Sequence, residues 1–290
     1  MSRIACVNGI FLPLENASVS VTDRGFLFGD GIYEVTAVLD GHLVDYAAHA
    51  ARLARSLNEI GLACPVDAAA LHGLHLEMIA RNDLQEGVLY LQITRGPAER
   101  DFTFPENPAP TLVMFCQHKK LADSPLAATG MKILSVPDQR WARCDIKSTA
   151  MLAQVLAKQA AHTAGCHEAW MLRDGFVTEG GSSTAFIITR DGRLVTRPLS
   201  SAVLPGITRV AVMVLLKDTG LVLEERAFTL AEAHAASEAF NTSAGGFVMP
   251  VVEIDGKMIG DGRPGPHATA LRAAYLAAAR GASARGDSGL

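Results

Sequence analysis

The chain has 290 residues, of which 49% are hydrophobic and 19% are charged, and its formal net charge is -4. This balance provides enough apolar surface for one large core or two cores and excludes an intrinsically disordered chain. The absence of any long run of like charges argues against nucleic acid or an anionic membrane as the main partner, so we expect small-molecule partners.

The start of the chain and its cysteines bear on the compartment. MSRIACVNGIFLPL contains no basic segment followed by a long apolar core, and no apolar run approaches the roughly 20 residues that span a bilayer. The sequence contains five cysteines without CxxC pairing, namely Cys6, Cys64, Cys116, Cys144 and Cys166. We therefore expect reduced thiols in a cytoplasmic protein, and no metal site.

Strands and helices alternate in the first part of the chain. Asn-Gly at residues 8–9 and Asp-Gly at 40–41 predict the turns of two hairpins. Apolar periodicity predicts helices over residues 47–61 and about 67–82, and VLYLQITRG and PTLVMFCQ are predicted as strands. We predict a small α/β domain over residues 1–120.

A short polar stretch predicts the boundary between two domains. Residues 121–131 are small and polar without periodicity, and we predict them to be a linker. Residues 132–280 are predicted to form a larger domain of strands and helices that ends in an Ala-rich helix. The last residues, 281–290, are rich in glycine and are predicted to be a disordered tail.

The segment RWARCDIKSTAMLAQVLAKQAAH places a lysine beside a predicted helix. Apolar side chains recur there at helical spacing: Leu152, Val155 and Leu156. This pattern predicts a helix over residues 151–162 that buries this face, with Ser148 or Thr149 as its N-cap. Lys147 would then precede the positive end of the helix dipole, where a cation is disfavoured. A neutral amine in a partly apolar pocket is a nucleophile that can form an imine.

Two short loops contain residue types that bind anions. In LPGITR, Ile207 and Thr208 open an apolar helix whose free N–H groups would hold a phosphate. In FNTSAGGF, Ser243 and Ala244 lie in a small-residue loop that would bring backbone N–H groups to the same anion. Arg52, on a predicted helix, is the candidate charged partner.

Each of these features also has an ordinary interpretation, as a glycine turn, a surface arginine or a solvated lysine. Glu179, in VTEGGSSTAF, follows a predicted strand and is either a turn carboxylate or the acid that holds a positively charged ring nitrogen. A reactive lysine, phosphate-binding loops and such an acid are together the parts that bind pyridoxal 5'-phosphate. We therefore predict this cofactor.

The sequence resembles the fold type IV pyridoxal phosphate enzymes, and within them it is most similar to the D-amino-acid aminotransferases. The resemblance covers nearly the whole chain, and its strongest blocks are DRGFLFGDGIYEV, QITRGPAERDFTFPEN, RWARCDIKS, TEGGSSTAF, LPGITR and PVVEIDGK. It implies an α+β / α/β fold of two domains, a smaller N-terminal one and a larger C-terminal cofactor-binding one. It also implies a homodimer.

The resemblance also implies roles for individual residues. Lys147 is the catalytic residue, which forms the Schiff base with the cofactor and moves the substrate proton, and Glu179 pairs with the pyridine nitrogen. Tyr33 and Arg100 bind the substrate carboxylate, and Phe102 stands where the family has a histidine. Further cofactor contacts follow by position: Arg52, Ile207, Thr208, Ser243 and Ala244 at the phosphate, Leu204 against the ring and Ser182 as a nearby hydrogen-bonding serine.

The implied reaction is ping-pong transamination of D-amino acids, in which D-alanine and 2-oxoglutarate give pyruvate and D-glutamate. Two departures from the family pattern, Phe102 and the loop TSAGG around Ala244, leave an (R)-selective amine transaminase open as an alternative. A branched-chain aminotransferase, an aminodeoxychorismate lyase and a non-catalytic cofactor-binding protein also stay open.

Overall fold

The computed structural model describes residues 3–285, without the side chains of residues 218 and 282–285. The contacts between its residues divide the chain into two units. Unit 1 contains, of the described chain, residues 3–120, 146–150 and 279–285, and unit 2 contains residues 121–145 and 151–278.

Unit 1 contains six strands and three α-helices. The strands are β1 (Ile4–Val7), β2 (Ile10–Pro13), β3 (Gly31–Leu39), β4 (His42–Leu43), β5 (Gly87–Thr94) and β6 (Thr111–His118). The helices are α1 (Arg24–Phe28), α2 (Tyr46–Glu59) and α3 (Ala68–Arg81), besides a 3-10 helix, Leu14–Asn16. The strands form one antiparallel sheet in the order β2-β1-β6-β5-β3-β4.

Both predicted hairpins are confirmed, because their turn residues have the backbone conformation that such turns need. Asn8 and Gly9 have φ values of 52° and 83°, and Asp40 and Gly41 have 51° and 77°. The core of unit 1 forms where α2 and α3 lay their apolar faces on the sheet. Its buried members include Leu53, Leu57, Met78, Leu89, Leu91 and Met114.

A short segment of unit 1 comes from a distant part of the chain. Residues 146–150 lie beside β3, where Ser148 forms an isolated antiparallel bridge with Ile32. The Thr149 hydroxyl donates to the carbonyl of Gly29 at 2.9 Å, and the side chain of Ile146 joins the core. The segment that contains Lys147 is thus held by strand β3 and not by the elements that precede and follow it in sequence.

Unit 2 contains nine strands, four complete α-helices and most of a fifth, whose last residues belong to unit 1. The strands are β7 (Met131–Pro137), β8 (Glu168–Arg173), β9 (Phe176–Gly180), β10 (Thr184–Ile188), β11 (Arg193–Thr196), β12 (Val222–Glu225), β13 (Glu238–Ser243), β14 (Phe247–Ile254) and β15 (Lys257–Met258). The helices are α4 (Pro125–Thr129), α5 (Leu152–Thr163), α6 (Ile207–Leu215), α7 (Leu230–Ala235) and α8 (Pro266–Arg285), besides a 3-10 helix, Leu216–Asp218. Eight strands follow the order β12-β11-β10-β13-β14-β7-β8-β9, and β15 pairs with β14.

The sheet of unit 2 is covered on both faces. Along β10, Ala185 and Ile187 join one apolar cluster, whereas Phe186 and Ile188 join another, as the alternation of side chains along a strand requires. The first cluster includes residues of α4 and α7, and the second includes residues of α6 and α8. The mixed α+β architecture with two sheets agrees with the predicted fold class.

Two segments differ from the sequence-based expectation. The stretch 121–131, expected as a linker, contains helix α4 and belongs to unit 2, because Leu126 and Ala127 pack against its core. The last helix, α8, continues through residue 285, so the expected disordered tail does not begin at 281. The rest of that expected tail, 286–290, lies outside the described residues.

Helix α5 differs more substantially from its prediction. It begins at Leu152, its N-cap is Met151, and neither Ser148 nor Thr149 caps it. Leu152, Val155 and Leu156 are exposed by 71%, 58% and 54%, so the predicted buried face is wrong. The face that packs against the sheet contains alanines instead, Ala157 and Ala161, beside Ala169 and Met171 of β8. Small side chains allow helix and sheet to approach closely.

Candidate active site

Backbone hydrogen bonds fix Lys147 beside strand β3. Its carbonyl oxygen accepts from the N–H of Tyr33 at 3.0 Å, and its own N–H donates to the hydroxyl of Ser56 at 3.4 Å. The Lys147 side chain is half-buried, and its Nζ lies 4.1 Å from the centroid of the Tyr33 ring. The structure therefore brings together two of the predicted residues, the amine and the tyrosine of the expected carboxylate site.

The helix dipole does not explain the position of Lys147. Helix α5 begins at Leu152, five residues later, and the effect of a dipole falls off within the first turn of a helix. The expectation that Lys147 stands at the positive end of this helix is therefore wrong. The amine is placed instead by the pairing of its own segment with β3 and by its contact with the electron-rich face of Tyr33.

Aromatic rings also contact Tyr33. Its ring stacks on Tyr90 with centroids 5.7 Å apart, and Tyr90 stacks in turn on Phe115 at 4.8 Å. The Tyr90 hydroxyl donates to Gln92, and burial raises the pKa of Tyr90 to about 12. This row of rings across β3, β5 and β6 restricts the orientation of Tyr33 beside the lysine.

Arg52, expected at a phosphate, lies in a buried ion pair. Its Nε and one terminal nitrogen donate to the two carboxylate oxygens of Glu34, each at 2.8 Å, and the Nδ1 of His49 lies 2.8 Å from the same carboxylate. Burial alone would raise the pKa of Glu34, but the charge of Arg52 and hydrogen bonds from Arg52 and His49 hold it well below its usual range. The bidentate geometry fixes the plane of the guanidinium.

Arg100 and Phe102 lie on the loop between β5 and β6. The guanidinium carbon of Arg100 is 5.8 Å from the centroid of the Phe102 ring, and both residues lie near Phe28 of α1. Arg24 anchors the loop by donating to the carbonyl of Asp101 at 2.6 Å. Because the Phe102 ring is 79% exposed, the structure presents an arginine and an apolar ring together on the surface of unit 1.

In unit 2, Glu179 is held by a cation that the sequence reasoning missed. The guanidinium of Arg140 donates to Glu179 through one terminal nitrogen, and the backbone N–H of Leu204 lies 3.2 Å from each carboxylate oxygen. Burial raises the pKa of Glu179 to about 7, against the opposing effect of Arg140. Leu204 was expected to pack on a ring, and its visible role here is this hydrogen bond. Arg140 lies only seven residues before Lys147, within the same block RWARCDIKS.

The predicted phosphate residues occupy the first turn of α6 and the end of β13. The N-cap of α6 is Gly206, which supplies no side-chain cap to the following N–H groups of Ile207 and Thr208. A Cβ atom on Gly206 would lie 2.8 Å from the hydroxyl oxygen of Thr184, and Thr184 pairs with Thr242 across β10 and β13. The beginning of the helix therefore lies near the end of β13, whose last residue is Ser243 and which Ala244 follows.

One buried polar atom near the end of β13 suits an anion. Thr242 Oγ1 has no hydrogen-bond partner among the described residues. A buried donor without a partner costs about 1–3 kcal/mol, so such an atom indicates a missing acceptor. Together with the uncapped start of α6, this hydroxyl fits the phosphate group of pyridoxal phosphate.

The side chain of Ser182 contacts an acidic residue, Glu168. Its hydroxyl donates to the carboxylate of Glu168 at 3.0 Å, and the same oxygen accepts from Lys158 at 3.1 Å. The structure therefore shows Ser182 in a polar cluster around Glu168, and its expected part in cofactor binding stays a prediction.

The predicted site residues fall into both units. Unit 1 contains Lys147, Tyr33, Arg52, Arg100 and Phe102, and unit 2 contains Glu179, Leu204, Ile207, Thr208, Ser182, Ser243 and Ala244. Within residues 3–285, no three side chains of histidine, cysteine, aspartate or glutamate are grouped as metal ligands. The same part of the chain has no helix long and apolar enough to cross a membrane.

Comparisons with known proteins agree in one family. The family model described as amino-transferase class IV matches residues 31–254. A D-alanine aminotransferase of Bacillus licheniformis is 38% identical over 259 residues, which is 89% of this chain and 91% of that protein. Among solved structures, the branched-chain amino acid aminotransferase of Escherichia coli superposes with a TM-score of 0.89 at 22% identity, covering 96% of this chain and 95% of that one. The corresponding T.th. enzyme, solved with pyridoxamine 5'-phosphate, has the same TM-score at 24% identity, with 97% and 95% covered.

Proposed function

The chain belongs to the class IV aminotransferases, which depend on pyridoxal phosphate, and from this premise we propose that it transfers the amino group of D-alanine to 2-oxoglutarate. The products are pyruvate and D-glutamate. The observation that carries the choice of substrate is the 38% identity to a D-alanine aminotransferase over 89% of this chain. The folds of branched-chain enzymes are closely similar, but at 22% and 24% identity they bear on the fold alone.

The residues of unit 1 suit the proton transfer in this reaction. Bound pyridoxal phosphate supplies an aldehyde carbon that binds amines and a ring that withdraws electrons from the substrate's α-carbon. Lys147 would hold the cofactor through this aldehyde carbon, with release of water, and its amine would move the proton of the substrate's α-carbon. The half-buried amine lies over the Tyr33 ring, beside the proposed carboxylate site.

The residues of unit 2 suit the polar groups of the cofactor. Glu179 would pair with the ring nitrogen of the bound cofactor, because its buried carboxylate would compensate a proton held there. Ile207, Thr208, Ser243 and Ala244 are the phosphate residues that we propose in unit 2, with the uncapped first turn of α6 as the source of N–H donors. Arg52 of unit 1 is the charged residue that we propose for the same phosphate. Leu204 contacts the ring, and Ser182 completes the proposed cofactor residues.

Tyr33 and Arg100 bind the substrate carboxylate in this proposal, with Phe102 as the neighbouring apolar wall. We also propose that the protein acts as a homodimer. We propose the cytoplasm as its compartment, because all five cysteines are free thiols. An (R)-selective amine transaminase is a second candidate, because a histidine would provide a donor to the carboxylate where the Phe102 ring provides none.

A panel of amino donors tests the proposed function. Purified protein should convert D-alanine with 2-oxoglutarate faster than L-leucine, L-valine or (R)-1-phenylethylamine, measured as pyruvate or the corresponding ketone released. A preference for (R)-1-phenylethylamine would support the second candidate and reject the first. Faster turnover of L-leucine than of D-alanine would reject both.

The glycine before α6 offers a test of the phosphate site. Gly206→Ala places a methyl group 2.8 Å from Thr184 Oγ1, closer than the contact allows, so either the Thr184 side chain or the first turn of α6 must move, and both border the proposed phosphate site. We expect the affinity of the apoprotein for pyridoxal phosphate to fall roughly tenfold, which corresponds to about 1.4 kcal/mol. Fluorescence or absorbance titration of the apoprotein with the cofactor measures this change.

The control is Gly73→Ala, in the middle of α3. An added Cβ meets no atom within 4 Å at this position. Alanine in a helix is more favourable than glycine by about 1 kcal/mol, so this variant should be slightly more stable and bind the cofactor unchanged. Equal affinity in the two variants would show that the start of α6 does not bind the phosphate.

A further inference from the structure

We propose that Asp138 is a positioning residue for Glu179, and that it sets the protonation of this carboxylate by accepting hydrogen bonds from two of the three guanidinium nitrogens of Arg140. The importance of Glu179 for the cofactor rests on the proposed function, whereas the coupling between the three side chains does not. Asp138 and Arg140 lie just after β7, and Glu179 lies near the end of β9.

The hydrogen bonds of Arg140 are unequally divided between the two acids. Arg140 donates to Asp138 through Nε at 2.9 Å, through a terminal nitrogen at 2.8 Å and through its backbone N–H at 3.1 Å. It donates to Glu179 through its other terminal nitrogen alone. The side chains of Asp138, Arg140 and Glu179 are exposed by 0%, 3% and 7%, so water does not weaken these contacts.

Asp138 is itself held in place by two further donors. The Thr178 hydroxyl donates to it at 2.9 Å, and Arg173 lies 3.2 Å away with a side chain that is 29% exposed. Burial alone would raise the pKa of Asp138, but hydrogen bonds from Arg140 and Thr178 and the charge of Arg140 hold it below its usual range. Asp138 therefore stays ionised and retains its share of Arg140.

The ionised neighbour acts on Glu179 in two ways. Its negative charge disfavours a second nearby carboxylate, and its hydrogen bonds keep the donors of Arg140 from turning toward Glu179. Both effects oppose the stabilisation that Arg140 and the Leu204 N–H give to ionised Glu179, and they act in the same direction as burial. The other titratable groups around this cluster are Arg173 and Cys144, whose thiol is buried near Arg140.

Substitutions of Asp138 and of its partner Arg173 should shift the pKa of Glu179 in opposite directions. Asp138→Asn removes the competing negative charge, so the pKa of Glu179 should fall. Arg173→Gln removes a cation that partly neutralises Asp138, so the same pKa should rise. The opposite signs separate a coupled charge cluster from a general loss of structure.

The matched control is a pair with the same spacing on the surface. Asp191 and Arg193 also stand two residues apart and pair through the arginine Nε, at 2.9 Å, but their side chains are exposed by 66% and 50%. Asp191→Asn should leave the protonation of Glu179 unchanged. This variant removes an aspartate from the same unit without touching the cluster.

The measurement uses the full-length protein without added cofactor. Carbon-13 NMR of the glutamate carboxyl groups, titrated from about pH 5 to about pH 9, follows Glu179, whose signal is assigned by its loss in Glu179→Gln. An unchanged or raised pKa in Asp138→Asn, or a lowered one in Arg173→Gln, would overturn the proposal. If Asp138→Asn does not fold, the sign of the shift in Arg173→Gln decides.

A second titration separates this proposal from the proposed function. With pyridoxal phosphate added, the pH dependence of its visible absorption should shift downward in Asp138→Asn relative to the Asp191→Asn control. If the protein binds no pyridoxal phosphate while the NMR shifts follow the expected signs, the proposed function fails and the role of Asp138 stands. If the cofactor binds and the NMR shifts are absent, the role of Asp138 fails and the proposed function is unaffected.

Discussion

Replacement of Lys147 with alanine is expected to lower the rate of transamination at least about 1,000-fold. General acid–base catalysis by a placed side chain contributes about 10² to 10⁴-fold, and loss of the covalent bond to the cofactor adds to that effect. The fold should persist, because the Lys147 amine contacts the ring of Tyr33 while its segment is held by backbone hydrogen bonds. Initial rates with D-alanine and 2-oxoglutarate measure the loss.

The matched control is Lys132→Ala. The Lys132 side chain is also partly exposed, by 48%, and it pairs with Glu253 at 3.1 Å on the surface. Such surface pairs contribute about 0–1 kcal/mol, so this variant should keep the activity and the visible absorption of the bound cofactor. Activity within about tenfold of wild type in Lys147→Ala would contradict the assignment of this lysine, whatever the preferred substrate.

Local features of the fold were predictable from sequence. The turns at Asn8-Gly9 and Asp40-Gly41 follow from backbone preferences of a few adjacent residues, and the structure confirms them. Helices α2 and α3 follow from apolar periodicity that matches the face each one lays on the sheet. In these cases the information lies within one element or one turn.

Helix α5 marks the limit of what apolar periodicity predicts. Periodicity identifies a stripe of large apolar side chains, and it does not identify what covers that stripe. Leu152, Val155 and Leu156 face away from their own sheet, while the small residues Ala157 and Ala161 meet it. Which face contacts the sheet depends on how well its side chains fit the space beside β7 and β8. The sequence of the helix alone does not predict the size of that space.

The partners of the candidate site residues were also beyond local reasoning. Arg140 and Glu179 are 39 positions apart, and they meet only because β8 pairs with β7 on one side and β9 on the other. The predicted role of Glu179 nevertheless contained a usable signal, since a buried carboxylate requires a cation. A search for an arginine in the block before Lys147 would have given two candidates, Arg140 and Arg143, of which the structure selects Arg140.

The largest effect on stability that we expect concerns the buried ion pair of unit 1, between Glu34 and Arg52. Glu34→Ala should lower the free energy of unfolding by about 3–5 kcal/mol, because it removes the carboxylate that pairs with the buried guanidinium of Arg52 through two hydrogen bonds. The side chains of Glu34 and Arg52 are exposed by only 3% and 7%, and His49 loses its bond to the same carboxylate. Urea or guanidinium unfolding of the apoprotein at pH 7 measures the change.

The control for this variant is Glu77→Ala in α3. Glu77 pairs with Arg81 at 2.7 Å, also through the arginine Nε, but the two side chains are exposed by 46% and 47%. A pair of this kind on a helix surface contributes about 0.3–0.5 kcal/mol. If the losses of unfolding free energy in the two alanine variants differ by less than about 1 kcal/mol, the buried pair contributes no more to stability than a solvent-exposed pair does.

The stability difference between wild type and Glu34→Ala should change with pH in a direction that follows from the pKa of Glu34. The pKa of Glu34 is lowered in the folded protein from an ordinary value of 4.5, so its ionised form stabilises the fold above that value. As the pH falls below 4.5 toward the lowered pKa of the folded state, this contribution is lost, and the gap between wild type and Glu34→Ala should narrow. A gap that widens on acidification would mean that Glu34 is protonated in the folded protein and that Arg52 is held by other groups. Arg52 would then be oriented without the bidentate contact on which its proposed place at the phosphate depends.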